Sequence, residues 1–149
     1  ISGDRRDFIV AELPGLVEGA HLGKGLGNEF LRHAERTKLL VYLLDGRSPT
    51  VISDLRMLET EIGLYKDLSQ KPKIVVVNKI DLAEAQARLP EVRQRLSELG
   101  TPVFYISALQ GLGVLELTKK AMEMAEQASK DEEMISQAQI AVFRPKPRK

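Results

Sequence analysis

Three apolar runs constrain this chain most: Leu39 to Leu44 (LLVYLL), Lys73 to Val77 (KIVVV) and Val103 to Ile106 (VFYI). They are rich in Val, Ile and Leu and barely alternate with polar residues. A strand with one wet face alternates; a strand that does not is covered on both faces, the situation of a parallel sheet layered between helices. Phe8 to Ala11 is a fourth short run of this kind. Helical stretches lie between them. Leu26 to Thr37 follows a glycine-rich loop. Ser48-Pro49 is a helix start, with Ile52, Leu55, Leu58, Ile62 and Tyr65 on one face. Pro90 opens a further helix striped by Val92, Leu96 and Leu99 and stopped by Gly100. Leu112, Leu115, Met122 and Ala125 line a longer helix running to about Ser129. Strand and helix in alternation predict an α/β layered fold.

A chain of 149 residues suits one core. With 22 Lys plus Arg against 21 Asp plus Glu, the net charge of +1 is no general nucleic-acid or membrane footprint. The exception is the end, FRPKPRK, a basic stretch that could dock RNA. There is no cysteine, which excludes disulfides and thiolate zinc sites and fits a reducing cytosol; a cytoplasmic protein is expected. His21 and His33 match no metal-binding spacing. No apolar run approaches the roughly 20 residues that span a bilayer, and no basic-then-apolar leader opens the chain. Residues 130–149 are charged and then broken by proline. They are expected to form a linker with a short strand at Ile140 to Phe143, leaving 1–129 as the domain.

In open α/β sheets ligands sit at the carboxyl ends of strands. Three strands end suggestively, in AELPGLVEGA, NKID and SALQG. NKID suits a guanine base. The Asp81 carboxylate has two acceptors, and guanine offers N1–H and the N2 amine as two parallel donors. Adenine presents an acceptor at N1 and nothing at C2, so a carboxylate facing it stays unpaired; such losses discriminate by about 10⁴-fold. The Lys79 stem can lie along the base while its ammonium reaches backbone oxygens. Asn78 can bond N7 and tie neighbouring loops together. Ser107 can brace Asp81, and the Ala108 amide can reach O6. The bland alternative for NKID is a polar turn in which Asp81 caps a helix. In AELPG, Gly15 has no Cβ, so its amide can approach a phosphate closely. Gly19, Gly23, Gly25 and Gly27 follow, a segment that a ligand could order.

Together these stretches resemble the Obg family of ribosome-associated P-loop GTPases. The particular likeness is ELPGLVEGAHLGKGLGNEFLRHAERT, residues 12–37, which looks like that family's long switch II. The resemblance covers roughly residues 4–128 and implies a three-layer Ras-like P-loop NTPase G domain with a mostly parallel sheet. It further implies GTP and GDP as ligands, slow hydrolysis, Mg2+, and a role in ribosome assembly with the ribosomal subunit or its RNA as partner. Carried over by position, Glu12, Leu13, Pro14 and Gly15 stand for the phosphate-sensing motif. Asn78, Lys79, Ile80 and Asp81 stand for the guanine motif, and Ser107, Ala108 and Leu109 for the base-bracing motif. The family has Asp where this chain has Glu12. That Asp holds a magnesium-bound water, so Glu12 is at most an indirect metal contact, and a magnesium shell at about 2.1 Å tolerates displacement poorly. Leu16 follows the glycine where Ras-type enzymes place a water-orienting Gln, so no catalytic residue is named.

No G-x-x-x-x-G-K-[ST] occurs, and no switch I threonine. Both would lie upstream of Ile1, so the chain is expected to be part of a G domain, truncated at its N-terminus and weak in GTP binding alone. The strand leading into that loop is normally central, between the strands at Phe8 and Leu39. Without it the sheet is expected to close the gap by re-pairing strands, to swap strands with another copy, or to depend on a partner. Two other readings compete. One is a non-catalytic module docking ribosomal RNA or protein through the switch II helix and the basic tail. The other, a nicotinamide-dependent oxidoreductase, lacks its glycine fingerprint.

Overall fold

The computed structural model describes residues 8–12, 36–131 and 138–144. Its strands are β1 (Phe8–Glu12), β2 (Leu39–Asp45), β3 (Lys73–Asn78), β4 (Val103–Tyr105) and β5 (Ala138–Phe143). The helices are α1 (Val51–Gly63), the short α2 (Lys66–Ser69), α3 (Ala83–Leu96) and α4 (Val114–Asp131). The expected helix over 26–37 lies almost wholly outside the described residues.

All five strands run parallel, in the order β1-β5-β2-β3-β4. The central strands send alternate residues to opposite faces, and both faces are apolar. Leu40, Tyr42 and Leu44 of β2, with Val75 and Val77 of β3, pack under Leu55, Leu58 and Ile62 of α1 and Val92 and Leu96 of α3. Leu39, Val41, Ile74 and Val76 pack on the other face against Ala121 and Ala125 of α4. This double coverage is why the runs do not alternate. The result is the expected three-layer α/β arrangement.

The C-terminal segment differs most from the sequence expectation. The short strand foreseen at 140–143 is present and begins at Ala138, and it lies inside the sheet rather than in a tail. It pairs with β1 from Phe8↔Ala138 to Glu12↔Val142, and with β2 from Leu39↔Ile140 to Tyr42↔Phe143. The gap expected between the strands at Phe8 and Leu39 is thus closed by re-pairing. Ala141 and Phe143 are fully buried, and the Phe143 ring meets Tyr42 edge-on at 6.3 Å between centroids.

Two helix starts move. The first helix begins at Val51, two residues past Pro49, because Ser48 and Thr50 both donate side-chain hydrogen bonds to Asp54 and form the turn ahead of it. Tyr65 falls beyond its end. The helix expected to open at Pro90 starts seven residues earlier, at Ala83, and carries Pro90 inside. Proline there removes a single N–H donor. Burial of Ala85, Val92 and Leu96 on one face holds the helix together on both sides of it.

Candidate functional site

Three strand ends meet at the carboxyl edge, and short hydrogen bonds stitch them together. Gly46, just after β2, donates its amide to the Asn78 carbonyl at 2.8 Å. The approach requires glycine: a Cβ at position 46 would lie 2.6 Å from that carbonyl oxygen. Gly46→Ala must therefore separate the ends of β2 and β3. It is expected to lower unfolding free energy by about 1–3 kcal/mol, readable as a shifted urea midpoint.

Asn78 and Lys79 lie half-buried where β3 ends. Asn78 Oδ1 accepts the Ala108 amide at 3.0 Å, the loop-tying role expected of it. Ile80 donates its amide to the Ile106 carbonyl at 3.1 Å. Lys79 has φ 68°, the left-handed region that a lysine seldom enters. Such a conformation persists only where its surroundings impose it, and it gathers at binding sites. Here it turns the chain sharply, so that Asn78, Lys79 and Asp81 are all delivered within four residues.

The Lys79 ammonium does not go to backbone oxygens as expected. It pairs with Asp45 Oδ2 at 3.1 Å, and Arg47 holds the same carboxylate through Nη2 at 3.0 Å and through its own amide at 2.9 Å. Burial pushes the Asp45 carboxyl up, but the hydrogen bonds from Arg47 and Lys79 outweigh it and leave its pKa at about 2, against 3.8 ordinarily. A lowered folded-state value gives stability that is present above the unfolded value and is lost as pH falls through the folded one. Asp45→Asn is therefore expected to flatten the loss of stability between about pH 4 and pH 2. Urea unfolding across that range checks it; the effect is modest, because the pair is partly exposed.

Asp45 and Arg47 are functional candidates that sequence reasoning passed over. The available signal was an aspartate at the carboxyl end of a buried strand, in LLDGRSP. Arg144, directly after β5, is another. With Leu43, Leu44, Asp45, Arg47, Asn78 and Lys79 it lines a cleft of about 340 Å³.

One expected contact is not made, and the Ala108 amide has a partner within the chain. Ser107 is buried, but its hydroxyl accepts the Gln110 amide at 3.2 Å instead of bracing Asp81. The Ala108 amide is turned to Asn78. Both follow from a tight loop in which Ser107 and Leu112 exchange backbone hydrogen bonds at 3.0 Å each. That pairing closes the loop and fixes the Ala108 amide opposite β3, while Leu109 stays 89% exposed.

Asp81 is half-buried, and among the described residues no hydrogen bond or ion pair engages its carboxylate. It does not cap the following helix: α3 is capped at Leu82, with no side-chain cap bond. Of Asp81, only the main-chain carbonyl is engaged, by Gln86 Nε2 at 3.4 Å. Glu12 ends β1, whereas Leu13, Pro14 and Gly15 lie outside the described residues. No group of three or more His, Asp or Glu that could hold a metal ion occurs among the described residues.

A parallel α/β layer with NKID and SAL at neighbouring strand ends, the two tied by Asn78, is the frame of a nucleotide-binding GTPase. The sequence model of the 50S ribosome-binding GTPase family matches residues 1–79, and the chain belongs to that family. Within it, this is an Obg-type chain. It is 43% identical to GTPase Obg of Dehalococcoides mccartyi over 95% of this chain and 34% of that protein. It is 41% identical to GTPase Obg of Symbiobacterium thermophilum over 97% of this chain and 35% of that protein. For GTPase Obg of Caldicellulosiruptor saccharolyticus the identity is 39%, over 91% and 33% respectively. The chain thus spans about a third of the length of the curated relatives it matches.

Proposed function

We propose that this chain is the base-reading part of a GTP-binding, GTP-hydrolysing switch that works with the large ribosomal subunit in the cytoplasm. The observation that carries the reading is the Asp81 carboxylate. It stands beside a strained lysine turn, half-buried, capping no helix and joined to no cation among the described residues. A carboxylate left so has its two acceptors available to a ligand, and two adjacent N–H donors on a purine edge match them. Asn78 and the Ala108 amide, locked together, make the rigid wall beside it. In this reading the Lys79 stem lies along the base plane, and the Asp45 pair that holds its ammonium supports it.

The phosphate end is assigned to Glu12, Leu13, Pro14 and Gly15 through the family likeness. Magnesium belongs to the chemistry of such switches, where it neutralises phosphate charge. The described residues do not form a site for it: Asp45 is engaged by two cations, and no cluster of three metal-ligating side chains is present. Hydrolysis is assigned to the whole protein, and no step of it to a residue of this segment.

The test is amide chemical-shift mapping of the isotopically labelled chain with GDP and, separately, ADP. GDP is expected to move Asn78, Lys79, Asp81 and Ala108 together, and ADP to leave them in place. Equal shifts with both nucleotides, or shifts elsewhere only, would sink the reading.

A further inference from the structure

The loop between β4 and α4 is anchored at both ends. Behind it, the Ile106 amide donates to the Val77 carbonyl at 2.8 Å and the Ile106 carbonyl accepts the Ile80 amide at 3.1 Å, so the end of β4 is held to β3. Ahead of it, the Gly113 carbonyl accepts the Leu117 amide at 3.1 Å, in the first turn of α4. Gly113 has φ 74°, and a Cβ there would lie 2.9 Å from the Tyr105 carbonyl oxygen and 3.1 Å from Ile106 Cγ2. A side chain at 113 thus meets two obstacles: a left-handed backbone that L residues rarely adopt, and a collision. β4 cannot yield, because β3 holds it. α4 cannot yield, because its Ala121 and Ala125 are buried against the sheet. The strain falls on the loop, whose Ser107–Leu112 pairing ends one residue before Gly113. The Ser107 carbonyl, which accepts the Leu112 amide at 3.0 Å, shares one planar peptide group with the Ala108 amide. Freeing that carbonyl therefore turns the Ala108 amide off Asn78 Oδ1.

We infer that Gly113 is a positioning residue for guanine nucleotide binding: by letting the start of α4 approach the end of β4, it holds Ala108 and Asn78 in the arrangement that meets the base. The inference rests on the base reading proposed above and carries the site beyond the SAL residues themselves. Gly113 acts through the Ser107–Leu112 pairing and the Ala108 amide, not by touching the base.

The test compares Gly113→Ala with Gly100→Ala. Gly100 has φ 70°, but nothing lies within 4 Å of where its Cβ would be, and it precedes the opposite, amino end of β4. Both variants carry the backbone penalty of a positive φ; only Gly113→Ala adds the collision. In the ligand-free chain, hydrogen exchange at the Ala108 amide is expected to quicken at least about tenfold in Gly113→Ala and to stay within about twofold in Gly100→Ala. GDP, followed by amide shifts, is expected to bind Gly113→Ala at least about tenfold more weakly than the unmodified chain, and Gly100→Ala within about twofold. Equal losses in both variants are plain destabilisation and overturn the inference. A GDP response at Asn78, Asp81 and Ala108 that Gly113→Ala leaves unchanged sinks this inference alone; no such response in the unmodified chain sinks the base reading and this inference with it. The unmodified chain also decides should Gly113→Ala not fold. There the Ser107, Ala108 and Leu112 amides are expected to exchange at a common rate, because one closure holds all three; an Ala108 amide at least about tenfold faster than the other two overturns the inference.

Discussion

Phe143→Ala is expected to lower the unfolding free energy by about 3–5 kcal/mol. The ring is fully buried and packs edge-on against Tyr42, within the core that α1 and α3 cover. Truncation removes its transfer free energy and leaves a cavity beside Tyr42 that β2 cannot collapse into, because its ladder with β3 holds it in place. Set against a whole stability of about 5–15 kcal/mol, a loss of that size brings the chain close to unfolding at ambient temperature. Urea denaturation followed by far-ultraviolet circular dichroism reads the effect as a lowered midpoint. A loss below about 1 kcal/mol would place Phe143 outside the core. It would contradict the central position of β5.

Asp81→Asn is expected to invert base preference, from guanine to xanthine nucleotides. Asparagine keeps one acceptor for the N1–H but presents an amine where the carboxylate had its second acceptor. Guanine then sets its N2 amine against another donor. Xanthine carries a carbonyl at C2 and restores the pair. Sites built to hydrogen-bond a ligand reject the mismatched analogue strongly, so the ratio of GDP to XDP affinity should fall by roughly 10²-fold or more. Competition titrations with both nucleotides measure it. An unchanged ratio would remove Asp81 from the site. The fold should be untouched, since the carboxylate has no partner among the described residues and caps no helix.

Much of the layer structure was legible because it depends on local pattern. Leu39 to Leu44 and Lys73 to Val77 carry apolar residues at both parities, which only a doubly covered strand tolerates, and both became central strands. The motif NKID was legible because its spacing is itself the chemistry. Helix boundaries were less so. Pro90 reads as a start from its missing N–H, yet tertiary burial of Ala85 on its near side and Val92 on its far side carries the helix through it. The charged run after Ser129 reads as a linker, and the weight of six residues in a twenty-residue polar segment is too small to announce a central strand.

The sequence by itself determined the parallel layering, the polar NKID turn at the end of β3 and the family to which the chain belongs. These rest on residue identity and spacing, which survive any rearrangement of the strands. Only the tertiary structure decided that β5 separates β1 from β2, that Asp45 rather than a backbone oxygen holds Lys79, and that the Ala108 amide is turned to Asn78. Strand order and such pairs join positions far apart in the chain, Asp45 to Lys79 and Tyr42 to Phe143. No local pattern encodes which open edge or which carboxylate a segment will meet once the sheet has assembled.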